Sequence, residues 1–473
     1  MFLEIIQDTG DFIWTYIMAG ILVLVGLYFT FRMKFTTLTM IPEMFKLIGE
    51  KTVDGKGVSS FQAFCISAAA RVGTGNMAGV AIAIAVGGPG AVFWMWLIAF
   101  LGAASGFVEA TLAQIYKTRD GASFRGGPAY YMEKALGARW LGVTFAVIIA
   151  LTFGLAFNTV QANTIVSAFH NSFGVSKELM AVLLTIGSAI IIFGGTKLIV
   201  KVSEVIVPIM AGGYILLALG IIIFNITEIP HAFAIIFQDA FGIKEISGGA
   251  FGIAIIQGIK RGLFSNEAGM GSAPHAAATA NVSHPVKQGL IQTLGVYVDT
   301  FGVCTSTAFI VLLSGLYTSE GTDGIVLTQN ALESLVGSWA GIFIALMVLL
   351  FAFTSIVGNY FYGESNINFI KKSKTWLFIY RLAVVAVVAV GSLAGLDLVW
   401  GIADIFMAIM AFINLIAIVL LGNIAFRALR DYRQQKRAGK DPHFSANSIP
   451  GIHNVDEDIW PTEASRNSKV SSN

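Results

Sequence analysis

Ionisable side chains are rare in this sequence. Of its 473 residues only 12% are Asp, Glu, Lys or Arg, about half the share of a soluble domain. That excludes an ordinary water-facing surface, and a net charge of +2 implies neither a nucleic acid nor an acidic partner. Cysteine is nearly absent: Cys65 and Cys304, both in apolar stretches, offer no disulfide framework and no metal spacing. His170, His231, His275 and His284 show no ligand spacing either. P-loop, HExxH, GxSxG and CxxC patterns are all missing, so no enzyme and no cofactor is expected. The N-terminus carries Glu4, Asp8 and Asp11 in place of a basic stretch, and no small-residue cleavage site follows, so no signal peptide is read.

What is present is apolar. Hydrophobic residues make up 56% of the chain, with 51 glycines and 36 phenylalanines. Apolar runs long enough to cross a bilayer recur, and glycine lets such helices pack closely in lipid. Eleven spans are expected, at about 12–31, 61–84, 89–116, 140–168, 178–195, 203–224, 248–279, 287–315, 338–361, 375–394 and 400–426. The basic residues test that count. Of 30 Lys and Arg, 25 fall in one set of alternate loops and two, Lys177 and Lys244, in the other; Arg71, Lys260 and Arg261 lie inside spans. By the positive-inside rule the N-terminus is outside and the C-terminus cytoplasmic.

One pattern occurs twice. Arg-x-x-x-x-Asn-x-Ala-Gly runs through Arg71, Asn76, Ala78 and Gly79, and again through Arg261, Asn266, Ala268 and Gly269. The copies sit in spans two and seven. An odd number of spans separates them in register, so they cross in opposite directions. The expected architecture is therefore an all-α polytopic membrane protein: one extra N-terminal helix, then a 5+5 inverted repeat with two broken helices. Residues 1–60 hold the extra helix and a cytoplasmic loop, 61–224 the first repeat and 225–430 the second. Residues 431–473 form a tail, polar and Ser/Asn-rich from about 438 and expected to be disordered.

The paired segments carry the candidate chemistry. In Arg71-Val72-Gly73-Thr74-Gly75-Asn76 two glycines bracket a threonine near mid-span. Glycine costs a helix interior about 1 kcal/mol, so the run reads as unwound, and irregular backbone at that depth must face protein or water. A single GxG is better explained by close packing. Its partner GLFSNEAGMGSAP, with Gly262, Gly269, Gly271 and Pro274 beside polar Ser265, Asn266 and Glu267, favours a break. Freed carbonyls can hold Na⁺ and half-helix N-termini a carboxylate. Among intramembrane charges, Arg71, Glu109, Lys260, Arg261 and Glu267 lie deepest, while Glu204, Glu364 and Asp404 lie near span ends and are expected at the interface. The deep cations either gate and contact a substrate carboxylate or hold the broken helices as an ion-pair network. Phe157 and Gln161 share one face of span four: one wall of an amino-acid pocket, or an interhelical hydrogen bond. Thr354 and Ser355 are adjacent hydroxyls in span nine: ligands for an alkali cation, or back-bonded to their own helix.

These strings resemble a known family. RVGTGNMAGV, GGPGAVFWMW (87–96), FRGGPAYYME (124–133) and RGLFSNEAGMGSAPHAAA are similar to those of the sodium:alanine (alanine-or-glycine:cation) symporters, and the resemblance covers roughly residues 1–430. It implies a leucine-transporter-type fold and Na⁺-coupled symport of alanine or glycine, with glutamine uptake or proton coupling as alternatives. It places Gly73, Thr74, Gly75 and Asn76 at the substrate's charged groups, with Phe157, Gln161, Gly262, Phe264 and Ser265 lining the pocket. Fold analogy adds a Na⁺ site at Ala69, Val72, Thr354 and Ser355. The implied partners are a small neutral amino acid, Na⁺ and the lipid of a bacterial plasma membrane.

Overall fold

The computed structural model describes residues 2–53, 57–121, 123–194, 196–242, 248–318 and 324–462. It is a helical membrane protein. Helix α1 (Leu3–Arg32) is the extra N-terminal helix; after it comes the short α2 (Ile41–Ile48). The first broken helix is α3 (Ser60–Arg71) followed by α4 (Gly75–Gly87), bent by 53°. Helix α5 (Ala91–Ile115) leads to a small hairpin, β1 (Thr118–Asp120) with β2 (Ser123–Arg125), and to α6 (Pro128–Lys134). Helices α7 (Arg139–Phe173), α8 (Lys177–Gly194) and α9 (Thr196–Phe224) follow, then the short α10 (Ile229–Ala240).

The second broken helix comprises α11 (Gly248–Asn266) and α12 (Ala273–Thr279). After it run α13 (Pro285–Ser314), the short α14 (Gly324–Val336), α15 (Trp339–Ile370), α16 (Lys374–Leu393) and α17 (Leu396–Arg437). Among the described residues nine helices are long and apolar enough to cross a membrane, ten when the bent pair α3–α4 counts as one. The remaining expected span, 248–279, is not among them. Gln257, Lys260, Arg261, Ser265 and Asn266 occupy α11, and the chain leaves the helix for six residues before α12 begins.

Local sequence explains both breaks. Ser59 and Gln62 form a reciprocal capping box at the start of α3. The helix ends where Val72 turns extended, with φ −82° and ψ 93°, and restarts as a π-helical turn over Gly75–Gly79. In the second break Glu267 has φ +56°, Gly269 +84° and Gly271 +89°, values that glycine adopts without strain and glutamate does not. The amide of Asn281, just after α12, donates to the carbonyl of Val58, just before α3, at 2.9 Å. The first broken helix thus begins where the second ends, so the two run in opposite directions.

The segment after α17 differs from the disordered tail read from composition. Phe444, Ile449 and Trp460 are buried. Trp460 Nε1 donates to the Gln114 carbonyl at 3.2 Å, and the Phe444 amide donates to the Ser283 carbonyl at 2.9 Å. Three apolar anchors in a polar stretch are enough to seat it; the mean composition hides them. The last part of the expected tail, 463–473, lies outside the described residues. Nearby, Lys117 is buried, donates to the Ala280 carbonyl at 2.8 Å and sits 4.1 Å from the centre of the Phe124 ring. Burial holds its ammonium well below the ordinary lysine range.

Candidate substrate and ion site

The two breaks face one another in the core. At the first, the Gly73 amide donates to Asn76 Oδ1 at 2.8 Å, and the Thr74 amide donates to Gln161 Oε1 at 3.1 Å. Gln161 therefore reaches the unwound segment from α7, just beyond a π-helical turn at Thr152–Phe157, a distortion frequent at functional sites. Thr74 Oγ1 is buried with no hydrogen-bond partner. The glycines are required by proximity. A Cβ on Gly73 would lie 2.3 Å from Ser355 Oγ, and one on Gly75 2.9 Å from Phe264 Cδ1.

An aromatic stack covers this segment. Phe157 and Phe264 lie 4.6 Å apart between ring centres, and Phe264 lies 4.6 Å from Trp400 of α17. The Arg261 guanidinium sits 4.4 Å from the Trp400 ring. Arg261 donates to both carboxylate oxygens of Asp404, at 2.9 and 2.7 Å, and Lys260 Nζ lies 3.2 Å from the same carboxylate. Asp404 is only 4% exposed. It is a buried counter-charge for both cations. Glu364, expected like Asp404 near a span end, is 6% exposed.

Below the stack, one carboxylate joins the two breaks. Asp299 lies in a π-helical turn of α13, Val298–Cys304. It accepts from Asn76 Nδ2 at 2.6 Å and from Ser265 Oγ at 2.8 Å. Glu109 of α5 holds the second break itself: the amides of Gly269 and Gly271 donate to it at 3.2 and 3.0 Å, and Asn414 Nδ2 does so at 2.8 Å. These are backbone groups that helix would otherwise have satisfied. Arg71 is buried against Gly295, where a Cβ would come 2.2 Å from Nη1.

The expected ion ligands separate in the structure. Ser355 Oγ donates to the Ala69 carbonyl at 3.0 Å and lies 3.5 Å from that of Val72. Thr354 Oγ1 is bonded to its own helix at Leu350 and Phe351 and lies 3.8 Å from Met210 sulfur. So Ser355 meets the carbonyls before the first break and Thr354 does not. Gly262 also faces away from the break: a Cβ there would lie 2.6 Å from Ile98 of α5, so this glycine serves close packing. The sequence reading assigned no role to Trp400 or Asn414 and none specific to Asp299. The pairing of Asp404 was legible in principle, because buried charges in lipid seek partners of opposite sign.

The chain matches the sodium:alanine symporter family over residues 1–446. It belongs to that family. It is 58% identical to the amino-acid carrier protein AlsT of Bacillus subtilis over 462 residues, covering 98% of each chain. It is 52% identical to a probable sodium/glutamine symporter, GlnT, of the same organism over 97% of this chain and 96% of the relative. Identity to the sodium/alanine symporter AgcS of Methanococcus maripaludis is 38%, over 92% and 98%. Among solved structures, a substrate-bound, outward-open Na⁺-coupled sialic acid symporter matches at a TM-score of 0.50 and 16% identity, covering 90% of this chain and 86% of the other. A manganese transporter of Eremococcus coleocola matches at 0.52 and 14%, over 83% and 86%. At such identities these two matches concern the fold only.

Proposed function

We propose that this protein is a Na⁺-coupled symporter that carries alanine, and by size glycine, into a bacterial cell by alternating access. The observation that carries the reading is the first break, whose amides and carbonyls face different partners. The amides of Gly73 and Thr74, now satisfied by Asn76 and Gln161, are donors for a substrate carboxylate. Thr74 Oγ1, buried and unpartnered, is a further donor beside them. The carbonyls of Ala69 and Val72 converge on Ser355 Oγ, a hard-oxygen set suited to Na⁺. Phe157, Phe264 and Trp400 close the other side.

In this scheme Na⁺ binds first and stiffens the first break against α15. The amino acid completes the site, and both leave on the opposite side. The two repeats would be 61–224 and 225–430. The N-terminus would lie outside and the C-terminus in the cytoplasm of a bacterial plasma membrane, on the strength of the asymmetry of Lys and Arg between loops.

Proteoliposome uptake of labelled alanine under an imposed Na⁺ gradient tests the reading. Uptake that is unchanged when K⁺ replaces Na⁺ defeats the coupling, and uptake driven by a pH gradient alone replaces Na⁺ with protons. Glutamine is the second reading, favoured by the 52% identity to the GlnT relative. Competition with unlabelled glycine, glutamine and D-alanine separates the two.

A further inference from the structure

A groove of about 680 Å³ lies between the end of α1 and the last turns of α17. Five basic side chains converge on it: Arg32, Lys34, Arg430, Arg433 and Arg437. No acidic residue lines it. Its apolar floor is Met33, Phe426 and Leu429, all buried.

Ion pairs do form elsewhere at this end of the molecule. Lys287 is paired with Glu50 and Asp441, Lys436 with Glu43, Arg125 with Asp120 and Arg139 with Glu133. Among the described residues none of the five groove cations forms an ion pair. Arg32 instead donates to Asn423 Oδ1 at 3.1 Å and lies 5.2 Å from the centre of the Phe426 ring. Arg433 donates to Thr36 Oγ1 at 2.7 Å. These neutral contacts aim the guanidinium groups and leave their charge unmatched.

The backbone adds a second observation. Lys34 and Phe35 both adopt φ +54°, a left-handed conformation disfavoured for residues with a side chain and found where something else compensates. That turn brings Lys34 into the groove. The setting then chooses the ligand. Arg32 ends the apolar run of α1, and Tyr28, Phe31 and Phe35 beside it are exposed, as aromatics are at the headgroup level of a bilayer. Leu24 on α1 and Leu420 on α17 are exposed one or two turns deeper, where acyl chains would lie.

We propose that this groove binds the phosphate headgroup of an anionic phospholipid, with the lipid's acyl chains lying against α1 and α17. The lipid would hold the extra N-terminal helix to the last helix, which flanks the site through Trp400 and Asp404. Basic pockets beside transmembrane helices recognise such headgroups through charge and multiple donors.

The test uses the purified full chain in neutral detergent. Native mass spectrometry and thermal unfolding are followed while phosphatidylglycerol, phosphatidylcholine or inorganic phosphate is titrated in. Phosphatidylglycerol should remain bound and raise the unfolding midpoint, while phosphatidylcholine and inorganic phosphate should do neither. Arg430→Gln combined with Arg433→Gln should weaken phosphatidylglycerol binding by roughly thirtyfold, as expected from losing two juxtamembrane cations. Lys371→Gln with Lys372→Gln, which removes two exposed cations elsewhere, should leave it unchanged. Equal stabilisation by phosphatidylcholine, equal stabilisation by inorganic phosphate, or undiminished binding in the Arg430/Arg433 variant would each overturn the proposal. If that variant elutes as an aggregate, Lys34→Gln with Arg437→Gln is read by the same criteria.

Discussion

Arg261 grips Asp404 with both terminal nitrogens, at 2.9 and 2.7 Å, while its flat face covers Trp400. One residue of the second broken helix thus links a carboxylate and an aromatic lid that both belong to α17. Removing one partner of a buried pair costs about 3–5 kcal/mol, because the other charge is stranded. Asp404→Ala should lower the unfolding midpoint by several degrees and cut alanine uptake at least tenfold. Arg261→Lys keeps the charge but loses the two-pronged contact and the stacking, and should fall between wild type and Asp404→Ala in both assays.

Ser355 and Thr354 are neighbours with different tasks. Ser355→Ala removes the hydroxyl facing the Ala69 and Val72 carbonyls and should raise the Na⁺ concentration for half-maximal uptake by about tenfold, the effect of roughly 1.4 kcal/mol. Thr354→Ala, which deletes only back-bonding within α15 and the Met210 contact, should shift it less than threefold on the same scale. Equal shifts would reject the assignment of the ion to Ser355.

Gly73→Ala should abolish uptake in protein that still folds. The new methyl would sit 2.3 Å from Ser355 Oγ and 3.0 Å from Gln161 Oε1. Overpacking of this kind typically costs about 1–3 kcal/mol, and here it falls on both candidate sites at once. Gly220→Ala, with nothing within 4 Å of the added atom, is the matching control and should transport normally. Uptake by Gly73→Ala within twofold of wild type would contradict the placement of the pocket.

His284 links pH to the seating of the chain after α17. Its Nδ1 accepts from the Val286 amide at 3.2 Å and Nε2 faces Asp431 at 3.1 Å. Burial pushes the imidazole below its ordinary range, against the opposing pull of Asp431. A group whose folded value is depressed contributes stability that is complete above its unfolded value, near 6.5. That stability is lost as pH falls toward the folded value. The unfolding midpoint should therefore drop as pH is lowered through and below about 6.5, and His284→Gln should flatten that dependence. A midpoint that rises on acidification would contradict the buried, neutral imidazole.

Trp460→Ala should destabilise the protein, by about 3–5 kcal/mol if the site does not collapse. The substitution empties a buried position and strips the Gln114 carbonyl of its indole donor. Thermal unfolding of the variant measures it; an unchanged midpoint would mean that residues 438–462 are not held against the helices.

The membrane class, the two breaks and their opposite directions were legible in the sequence because each has a strong local signature. Charge is expelled from lipid, glycine loosens helices, and a motif repeated at an odd span offset must invert. That Gln161 reaches a neighbouring helix was legible for a similar reason, since its spacing from Phe157 puts both on one helix face, and the interhelical hydrogen bond is the alternative the structure displays. Register and depth were not. Adjacent hydroxyls point about 100° apart around a helix, so only the docking of α15 on α3 decides between Ser355 and Thr354. How far Asp404 is buried does not follow from its place near a span end, because it depends on Lys260 and Arg261 of α11 being brought against it. The segment after α17 was misread because average composition does not register three well-spaced anchors.

Asp299 bonds Asn76 at one discontinuity and Ser265 at the other. Cys304 touches the same two side chains, at 3.3 and 3.0 Å. The two gaps therefore share one strut, built from two residues of the same π-helical turn. In a carrier built this way, an occupant of one gap would be felt at the other through this turn of α13.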